Sequence, residues 1–337
     1  MKPLPNGRLS NRHLPVRDRE THEAPRRCSA NVSAMRALVT GASGFAGTWL
    51  REHLEACGDE VIAPTCDVTD FDDVQRSLSE VRPDAIFHLA GQANVGASWT
   101  DPFSTFAVNA TGTLNVVQAA ITAGAPRVLV VGSAEVYGVV TADDLPVSED
   151  RQLRPTSPYA ASKAAAEMVA LQAHLGSGLP VMVARSFNHI GPGQSDSFVV
   201  SALARRVVEA RRSGAKSISV GNLSPRRDFT DVRDVVRAYR SIIEAGTPGK
   251  AYNVCTGVAV SVGEVANLLV QIDAAYENAE PLELQVDPAL QRPVDVPELR
   301  GDPRRLNADT GWKPLLSVSD TLAEVLQHWR THALTGA

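Results

Sequence analysis

Tyr159 and Lys163 stand four residues apart in the run from Ser157 to Lys163, and these two residue types can move a proton. On a helix, a spacing of four places both side chains on one face. A phenol ordinarily has a pKa near ~10, and a neighbouring ammonium favours the phenolate and lowers that pKa. The pair therefore predicts a proton donor and acceptor for carbonyl or alcohol chemistry. Tyr and Lys at this spacing are also common on ordinary helices, so the prediction needs a second signal.

The second signal is a glycine-rich turn, Gly41-x-x-Gly44-x-x-Gly47, which joins a strand-like apolar run to a helix-like stretch. Backbone N–H groups and the positive end of the helix dipole make such a turn an anion site. Gly41 permits the tight turn, Gly44 lets the backbone approach a pyrophosphate, and Gly47 lets the helix pack closely on the strand. Strand, turn and helix together predict a dinucleotide site rather than a glycine turn without a ligand.

The rest of the predicted cofactor site lies in the turn and at the ends of the next strands. It comprises Ser43, Phe45, Ala46, Asp67, Val68, Leu89, Ala90 and Gly91. An acidic residue after the second strand usually binds the ribose 2′-OH, whereas an Arg there accommodates a 2′-phosphate. Residues 63–66 contain neither, and Asp67 is expected near the adenine end. The sequence therefore predicts NADP or NAD, in reduced form as the hydride donor, and favours neither.

Strand-like and helix-like segments alternate from Met35 onward, which is typical of a doubly wound parallel sheet of the Rossmann type. The predicted strands are 36–40, 60–63, 84–89, 127–132 and 180–185, and the predicted helices are 45–57, 70–81, 102–124 and 157–175. Further helices are predicted at 198–213, 231–245, 261–272 and 317–333, with a return strand at 251–254. We expect a flexible extension at 1–34, a dinucleotide-binding domain at 35–186, and a smaller α/β substrate-binding region at 187–337.

Composition excludes several classes of function. The net charge of −5 argues against a nucleic-acid surface, and no apolar run is long enough to predict a transmembrane helix. Residues 1–34 are polar and basic, without the apolar centre of a signal peptide. The four cysteines lack C-x-x-C spacing and no His/Asp/Glu cluster has metal-ligand spacing, so we expect no metal and a cytoplasmic location.

The glycine turn, Ser133 and the Tyr159–Lys163 pair, in this order, resemble the extended short-chain dehydrogenase/reductases that modify nucleotide sugars. The run 185–194, followed by 197–199, is similar to the GDP-4-dehydro-6-deoxy-D-mannose reductases, which form GDP-D-rhamnose. Segments 220–223, 227–232, 252–255, 292–296 and 310–314 also resemble those reductases.

This resemblance implies an NAD(P)-dependent oxidoreductase that reduces the C4 ketone of GDP-4-dehydro-6-deoxy-D-mannose. Tyr159 would donate the proton, and Ser133 would donate a hydrogen bond to the ketone oxygen. Lys163 would lower the pKa of Tyr159 and hydrogen-bond the nicotinamide ribose, so that Tyr159 and Lys163 also belong to the predicted cofactor site. The resemblance places the GDP-sugar at Asn188, Phe198, Val199, Gly221, Asn222, Arg227, Arg292 and Asp295. It also implies a homodimer that packs helices 102–124 and 157–175.

The alternative reaction is that of a GDP-mannose 4,6-dehydratase, or of another epimerase or reductase in the same superfamily. Dehydratases of this kind carry Thr, then Ser or Asp, then Glu, where this chain has Ser133, Ala134 and Glu135. Glu135 has the chemistry of a base for a C5 proton, but reductases carry Glu there as well. Ala134 has no polar atom, and the 190–194 segment favours the reductase. His88 and His189 are predicted to be structural.

Overall fold

The computed structural model describes residues 34–124, 126–290 and 296–332. Residues 1–33 of the predicted extension lie outside these ranges, as do the predicted substrate residues Arg292 and Asp295.

Twelve strands and eleven α-helices make up the described chain. The first half contains β1 Arg36–Thr40, α1 Phe45–Ala56, β2 Glu60–Ile62, α2 Phe71–Val81, β3 Ala85–His88, α3 Val95–Thr100, α4 Pro102–Phe106, α5 Gly112–Thr122, β4 Arg127–Val131, α6 Pro158–Ser177 and β5 Val181–Ser186. The second half contains β6 Asn188–Ile190, α7 Val199–Ser213, β7 Ser217–Val220, β8 Arg226–Asp231, α8 Val232–Ala245, β9 Ala251–Val254, β10 Ala259–Ser261, α9 Val262–Glu277, β11 Glu283–Val286, β12 Glu298–Leu299, α10 Arg304–Thr310 and α11 Val318–His332.

A six-stranded sheet in the order β2-β1-β3-β4-β5-β9 forms the centre, and every neighbouring pair in it is parallel. The strands are apolar on both faces because helices cover both faces, as in other doubly wound sheets. Ala37 and Val39 pack with α1 and α8 on one face, whereas Leu38 packs with α2 and α5 on the other. The predicted parallel α/β fold is confirmed.

The second half builds a separate apolar core from α7, α9 and α11, which also contains Phe229 of β8. β8 pairs with β6, β10 and β12, and β7 pairs with β11. Two elements of this half nevertheless contribute to the first half: β9 is the last strand of the large sheet, and α8 packs across one face of that sheet. The domain division at residue 186 stays a prediction.

The predicted helix at 102–124 differs from the observed structure. α4 ends at Phe106, a π-helical turn covers Ala107–Thr111, and α5 continues from Gly112. A separate short helix, α3, precedes them, and Asp101 caps α4 by accepting from Ser104 N at 3.0 Å. Within the described ranges, no helix is both long enough and apolar enough to cross a membrane.

Candidate active site

The glycine turn after β1 has the close approaches that require glycine. Gly41 has φ +71°, and a Cβ there would lie 2.6 Å from Ala90 N. A Cβ on Gly47 would lie 2.1 Å from Gly41 O, which is shorter than any allowed contact distance. The turn is therefore packed against both its own helix and the loop after β3, as the glycine spacing predicts.

The N-terminus of α1 is available to an anion. Gly44 is the N-cap, no side chain in the part of the chain that the structure describes makes a capping hydrogen bond, and the first turn of Phe45, Ala46 and Gly47 has no acidic residue. Ser43 and Gly44 are exposed. The first N–H groups of a helix lack intrahelical partners and carry the positive end of its dipole. These residues fit the pyrophosphate of a dinucleotide, and Ser43 to Gly47 would hold it.

The loop after β3 joins the glycine turn to the predicted proton-transfer residues. Leu89 N donates to Thr40 O at 3.2 Å, and Ala90 N approaches Thr40 Oγ1 at 3.3 Å. A Cβ on Gly91 would lie 3.2 Å from Lys163 Nζ, so Lys163 stands directly beside this loop. The structure therefore brings the β3 loop, the glycine turn and Lys163 to one end of the sheet.

Asp67 and Val68 lie after β2, at the same end of the sheet. The Asp67 carboxylate accepts from Thr69 N at 2.8 Å and Thr69 Oγ1 at 2.7 Å, which lowers the pKa of Asp67. Val68 is buried against Gly112. Asp67 therefore stays ionised on the surface, and its contact with an adenosine remains a prediction.

Ser133, Tyr159 and Lys163 form a buried cluster beside the end of β4. Ser133 is the N-cap of a 3₁₀ turn at Ala134–Tyr137, and Ser157 caps α6 by accepting from Ala160 N at 3.1 Å. The Ser133 hydroxyl lies close enough to the Tyr159 side chain to lower its pKa. Lys163 Nζ donates to Val131 O at 2.9 Å. Each side chain of the cluster is less than a tenth exposed.

Burial decides the protonation of this cluster. It raises the pKa of Tyr159 to about 12, and the negative charge of Glu135 adds to this rise, whereas the Ser133 hydroxyl opposes it. Burial also lowers the pKa of Lys163 to about 8. In the ligand-free chain, desolvation of the phenolate dominates the pKa of Tyr159, and the lowering of that pKa by Lys163 stays a prediction. Tyr159 is therefore a neutral acid at pH 7.

The predicted substrate residues lie on the second half of the chain. Asn188 is on β6, which pairs with β8, and Arg227 is on β8 itself. Arg227 Nη1 donates to Val296 O at 2.7 Å. The neighbouring Arg226 instead pairs with Glu264 and Glu298 at the surface.

The other predicted GDP-sugar residues in the described ranges occupy two further positions. Gly221 and Asn222 follow β7, where a Cβ on Gly221 would lie 2.6 Å from Leu290 O and Asn222 Oδ1 accepts from Ser224 N at 3.1 Å. Phe198 and Val199 begin α7 and are more than a third exposed. Their roles stay predictions.

A stacked pair of rings, Phe45 and His189, connects the two halves of the chain. The His189 ring lies on the Phe45 ring with centroids 6.0 Å apart and planes 8° apart, and Trp49 Nε1 donates to Pro192 O at 3.2 Å. The 188–194 segment therefore rests on the start of α1. His88 is buried between Thr40 and Thr113, and burial lowers its pKa to about 3, which fits a structural residue.

Asn109 belongs to the site and was missed by the sequence analysis. It lies in the π-helical turn, donates to Ser162 Oγ at 2.9 Å, and accepts from Gln92 N at 2.8 Å. A Cβ on Gly91 would meet both Asn109 Oδ1 and Lys163 Nζ, so the two side chains adjoin. No spacing in the sequence marks Asn109, because the π-turn that directs it depends on tertiary packing.

The doubly wound sheet, the glycine turn and the buried Ser–Tyr–Lys cluster define a short-chain dehydrogenase/reductase of the extended type. The chain belongs to the GDP-mannose 4,6 dehydratase family, whose profile it matches over residues 63–325. Within the described ranges, no group of three or more His, Cys, Asp or Glu side chains is placed to hold a metal ion.

Individual relatives agree with this assignment. The chain is 39% identical to a GDP-6-deoxy-D-mannose reductase of Pseudomonas aeruginosa, over 88% of this chain and 97% of that protein. It superimposes on the structure of RMD from Pseudomonas aeruginosa complexed with NADPH with a TM-score of 0.80 at 36% identity, covering 89% of this chain and 100% of the other. A UDP-glucose 4-epimerase of Thermus thermophilus in complex with NAD gives a TM-score of 0.77 at 30% identity, covering 88% and 99%.

Proposed function

We propose that this protein reduces the C4 ketone of GDP-4-dehydro-6-deoxy-D-mannose to GDP-D-rhamnose, with NADPH or NADH as the reductant. The observation that carries the proposal is the buried Ser133–Tyr159–Lys163 cluster beside the glycine turn. The reductase at 39% identity over most of both chains supports this substrate.

The protonation of the cluster fits reduction. When bound, the nicotinamide supplies a hydride to the carbonyl carbon. Ser133 donates a hydrogen bond to the carbonyl oxygen, and Tyr159 Oη gives that oxygen its proton as negative charge develops. Because burial raises the pKa of Tyr159 to about 12, the phenol enters the reaction as the acid. One positioned donor of the Ser133 kind lowers such a barrier by about 3 kcal/mol.

Lys163 and Asn109 organise the same site without touching the carbonyl. Lys163 Nζ is fixed by Val131 O, and its ammonium would favour the phenolate that remains after proton transfer. Asn109 holds the β3 loop through Gln92 and holds α6 through Ser162. On the substrate side, Asn188 and Arg227 are proposed for the sugar and diphosphate, since Arg suits bidentate phosphate contacts.

The second candidate is a GDP-mannose 4,6-dehydratase, and Glu135 is the observation that favours it. Its negative charge acts on Tyr159, so the carboxylate lies near the reacting groups. The family profile also carries that name. Ala134, which is 3% exposed, places a methyl group where the dehydratases have a hydroxyl or a carboxylate. The proton relay of a dehydratase would therefore lack one polar group.

Two assays with the same protein separate the candidates. The reductase oxidises NADPH or NADH when GDP-4-dehydro-6-deoxy-D-mannose is added, and it leaves GDP-mannose unchanged. The dehydratase converts GDP-mannose to the ketone without net cofactor consumption. Chromatography of the hydrolysed sugar against rhamnose and 6-deoxytalose standards then identifies the face of hydride attack. Turnover of some other nucleotide sugar, with no activity on the ketone, would contradict the proposal.

We also propose that two copies associate through α4, α5 and α6. Apolar side chains on and beside these helices are exposed, including Trp99 at 64%, Phe103 at 88% and Leu175 at 75%. Large exposed apolar residues in one region are typical of an interface. Light scattering should give a dimer mass, and Phe103→Asp should lower it to that of one chain. The cytoplasmic location stays a prediction from the sequence.

A further inference from the structure

A buried polar network lies behind the Ser133–Tyr159–Lys163 cluster, and the reaction described above does not use it. Its centre is Arg185 on β5, which is 5% exposed. Arg185 donates from Nε to one oxygen of Glu167 at 3.0 Å and from Nη2 to the other at 2.5 Å. From Nη1 it donates to Tyr137 Oη at 2.9 Å and to Glu149 O at 2.8 Å.

The partners of Arg185 belong to the two segments that carry the reacting side chains. Glu167 lies on α6, four residues after Lys163 and eight after Tyr159, which is the same face of the helix. Tyr137 ends the 3₁₀ turn that begins after Ser133. One guanidinium therefore joins the helix of Tyr159 and Lys163 to the turn of Ser133.

Tyr137 extends the network to a third element. Its hydroxyl donates to Asn253 Oδ1 at 2.6 Å while it accepts from Arg185, and Asn253 is fully buried on β9. Asn253 N donates to Glu149 Oε1 at 2.8 Å. The Tyr137 hydroxyl thus has a defined position, with one donor and one acceptor, and it fixes the end of the 3₁₀ turn.

Stability alone is a weak reason for this arrangement. Removing two charges from water costs several kcal/mol, and replacing a buried ion pair with apolar side chains of similar volume is often neutral or stabilising. A planar guanidinium with bidentate contacts does, however, fix the relative positions of its partners. Catalytic hydrogen bonds tolerate displacements of only a fraction of an ångström, so such a fixture matters most next to reacting groups.

We propose that Arg185 and Tyr137 are positioning residues, which hold α6 against the 133–137 turn and thereby set the distance between Ser133 and Tyr159. The kinetic test of this positioning role rests on the proposed function, because it measures reduction of the ketone. In this proposal Arg185 and Tyr137 act through the protein groups that they bond, and not through contact with the ketone or the cofactor. Their loss should therefore lower kcat and leave KM for both substrates nearly unchanged.

The test is Tyr137→Phe, which removes one hydroxyl and keeps the ring. Tyr252→Phe is the matched control, because Tyr252 is also buried and its hydroxyl also bonds a partner at 2.7 Å, but that partner, Asp309, lies on α10 rather than on α6 or the 133–137 turn. We expect Tyr137→Phe to lower kcat at least tenfold with KM changed less than twofold, and Tyr252→Phe to keep kcat within twofold. Equal kcat losses in the two variants, or none in either, would overturn the proposal.

Amide hydrogen exchange provides a readout that needs no substrate. In Tyr137→Phe, exchange should accelerate in residues 133–137 and in the first turns of α6, whereas in Tyr252→Phe these amides should match the wild type. If the wild type fails to reduce the ketone, the proposed function is wrong, and exchange alone then decides the positioning role. Unchanged exchange in Tyr137→Phe would refute that role, whatever the substrate is. The double variant Arg185→Met/Glu167→Met should fold, since no unpaired charge remains, and it should show the same exchange and kcat pattern.

Discussion

Lys163 should affect activity and stability in opposite directions as the pH rises. Burial lowers the pKa of this lysine from 10.5 to about 8 in the folded, ligand-free chain. Between these two pH values the unfolded chain binds more protons than the folded chain, so the contribution of Lys163 to the free energy of unfolding rises with pH. Over the same pH range the Lys163 ammonium beside Tyr159 becomes a neutral amine, so activity should fall.

The magnitude follows from the two pKa values. At about pH 7, keeping Lys163 charged in the folded state costs about 3 kcal/mol. Lys163→Met removes that cost and also the hydrogen bond to Val131 O, worth about 1 kcal/mol. The variant should therefore be more stable than the wild type by about 2 kcal/mol near pH 7, and this advantage should disappear by about pH 10.

Two measurements check the predicted changes in stability and in activity. Urea denaturation of the ligand-free wild type and of Lys163→Met, from about pH 7 to about pH 10, gives the difference in free energy of unfolding between them. In the wild type, kcat/KM for the cofactor should fall about tenfold from pH 7 to pH 9, since only about a tenth of Lys163 stays charged there. Lys163→Arg keeps the positive charge, so its kcat/KM should not fall over this pH range. A stability difference that does not narrow with pH, or a flat kcat/KM profile in the wild type, would refute the reasoning.

Three further substitutions test the site. Tyr159→Phe should lower kcat about 10³-fold because the proton donor is gone, with cofactor affinity measured by fluorescence titration changed less than threefold; unchanged kcat would place the donor elsewhere. Ser133→Ala should lower kcat about 10²-fold in steady-state assays while Tyr159 still supplies the proton, and an effect confined to KM would contradict its role at the carbonyl oxygen. Gly47→Ala should lower the free energy of unfolding by about 1–3 kcal/mol in urea denaturation and weaken cofactor binding, since its Cβ would lie 2.1 Å from Gly41 O. The control Gly176→Ala should change neither quantity, because its Cβ would meet the flexible Gln172 side chain.

The alternation of apolar strands and helices predicted the architecture well, because each central strand is buried on both faces and reads as a continuous apolar run. The return strand predicted at 251–254 matches β9, and the helix predicted at 231–245 matches α8 to within one residue. That α8 packs on the large sheet could not be predicted, since an amphipathic helix does not specify which apolar surface it covers.

The chemistry of the site was predicted in part. Spacing identified the Tyr159–Lys163 pair and the glycine turn, because those features depend on local geometry, whereas Ser133 was added by the family resemblance. The net rise in the pKa of Tyr159 was not predicted, since it depends on burial by residues distant in the sequence. Asn109 and the Arg185 network were missed for the same reason: their partners lie 17 to 116 residues away.

The contribution of β9 and α8 to the large sheet has a consequence for biosynthesis. The ribosome completes β5 at Ser186, but the strand that covers its free edge ends only at Val254. During that interval the nascent chain exposes one unpaired strand edge and the sheet face that α8 later covers, and such surfaces promote aggregation. Folding of the nucleotide-binding half must therefore finish late in translation, and a chain terminated near residue 190 should be captured by chaperones or degraded rather than accumulate as a stable fragment.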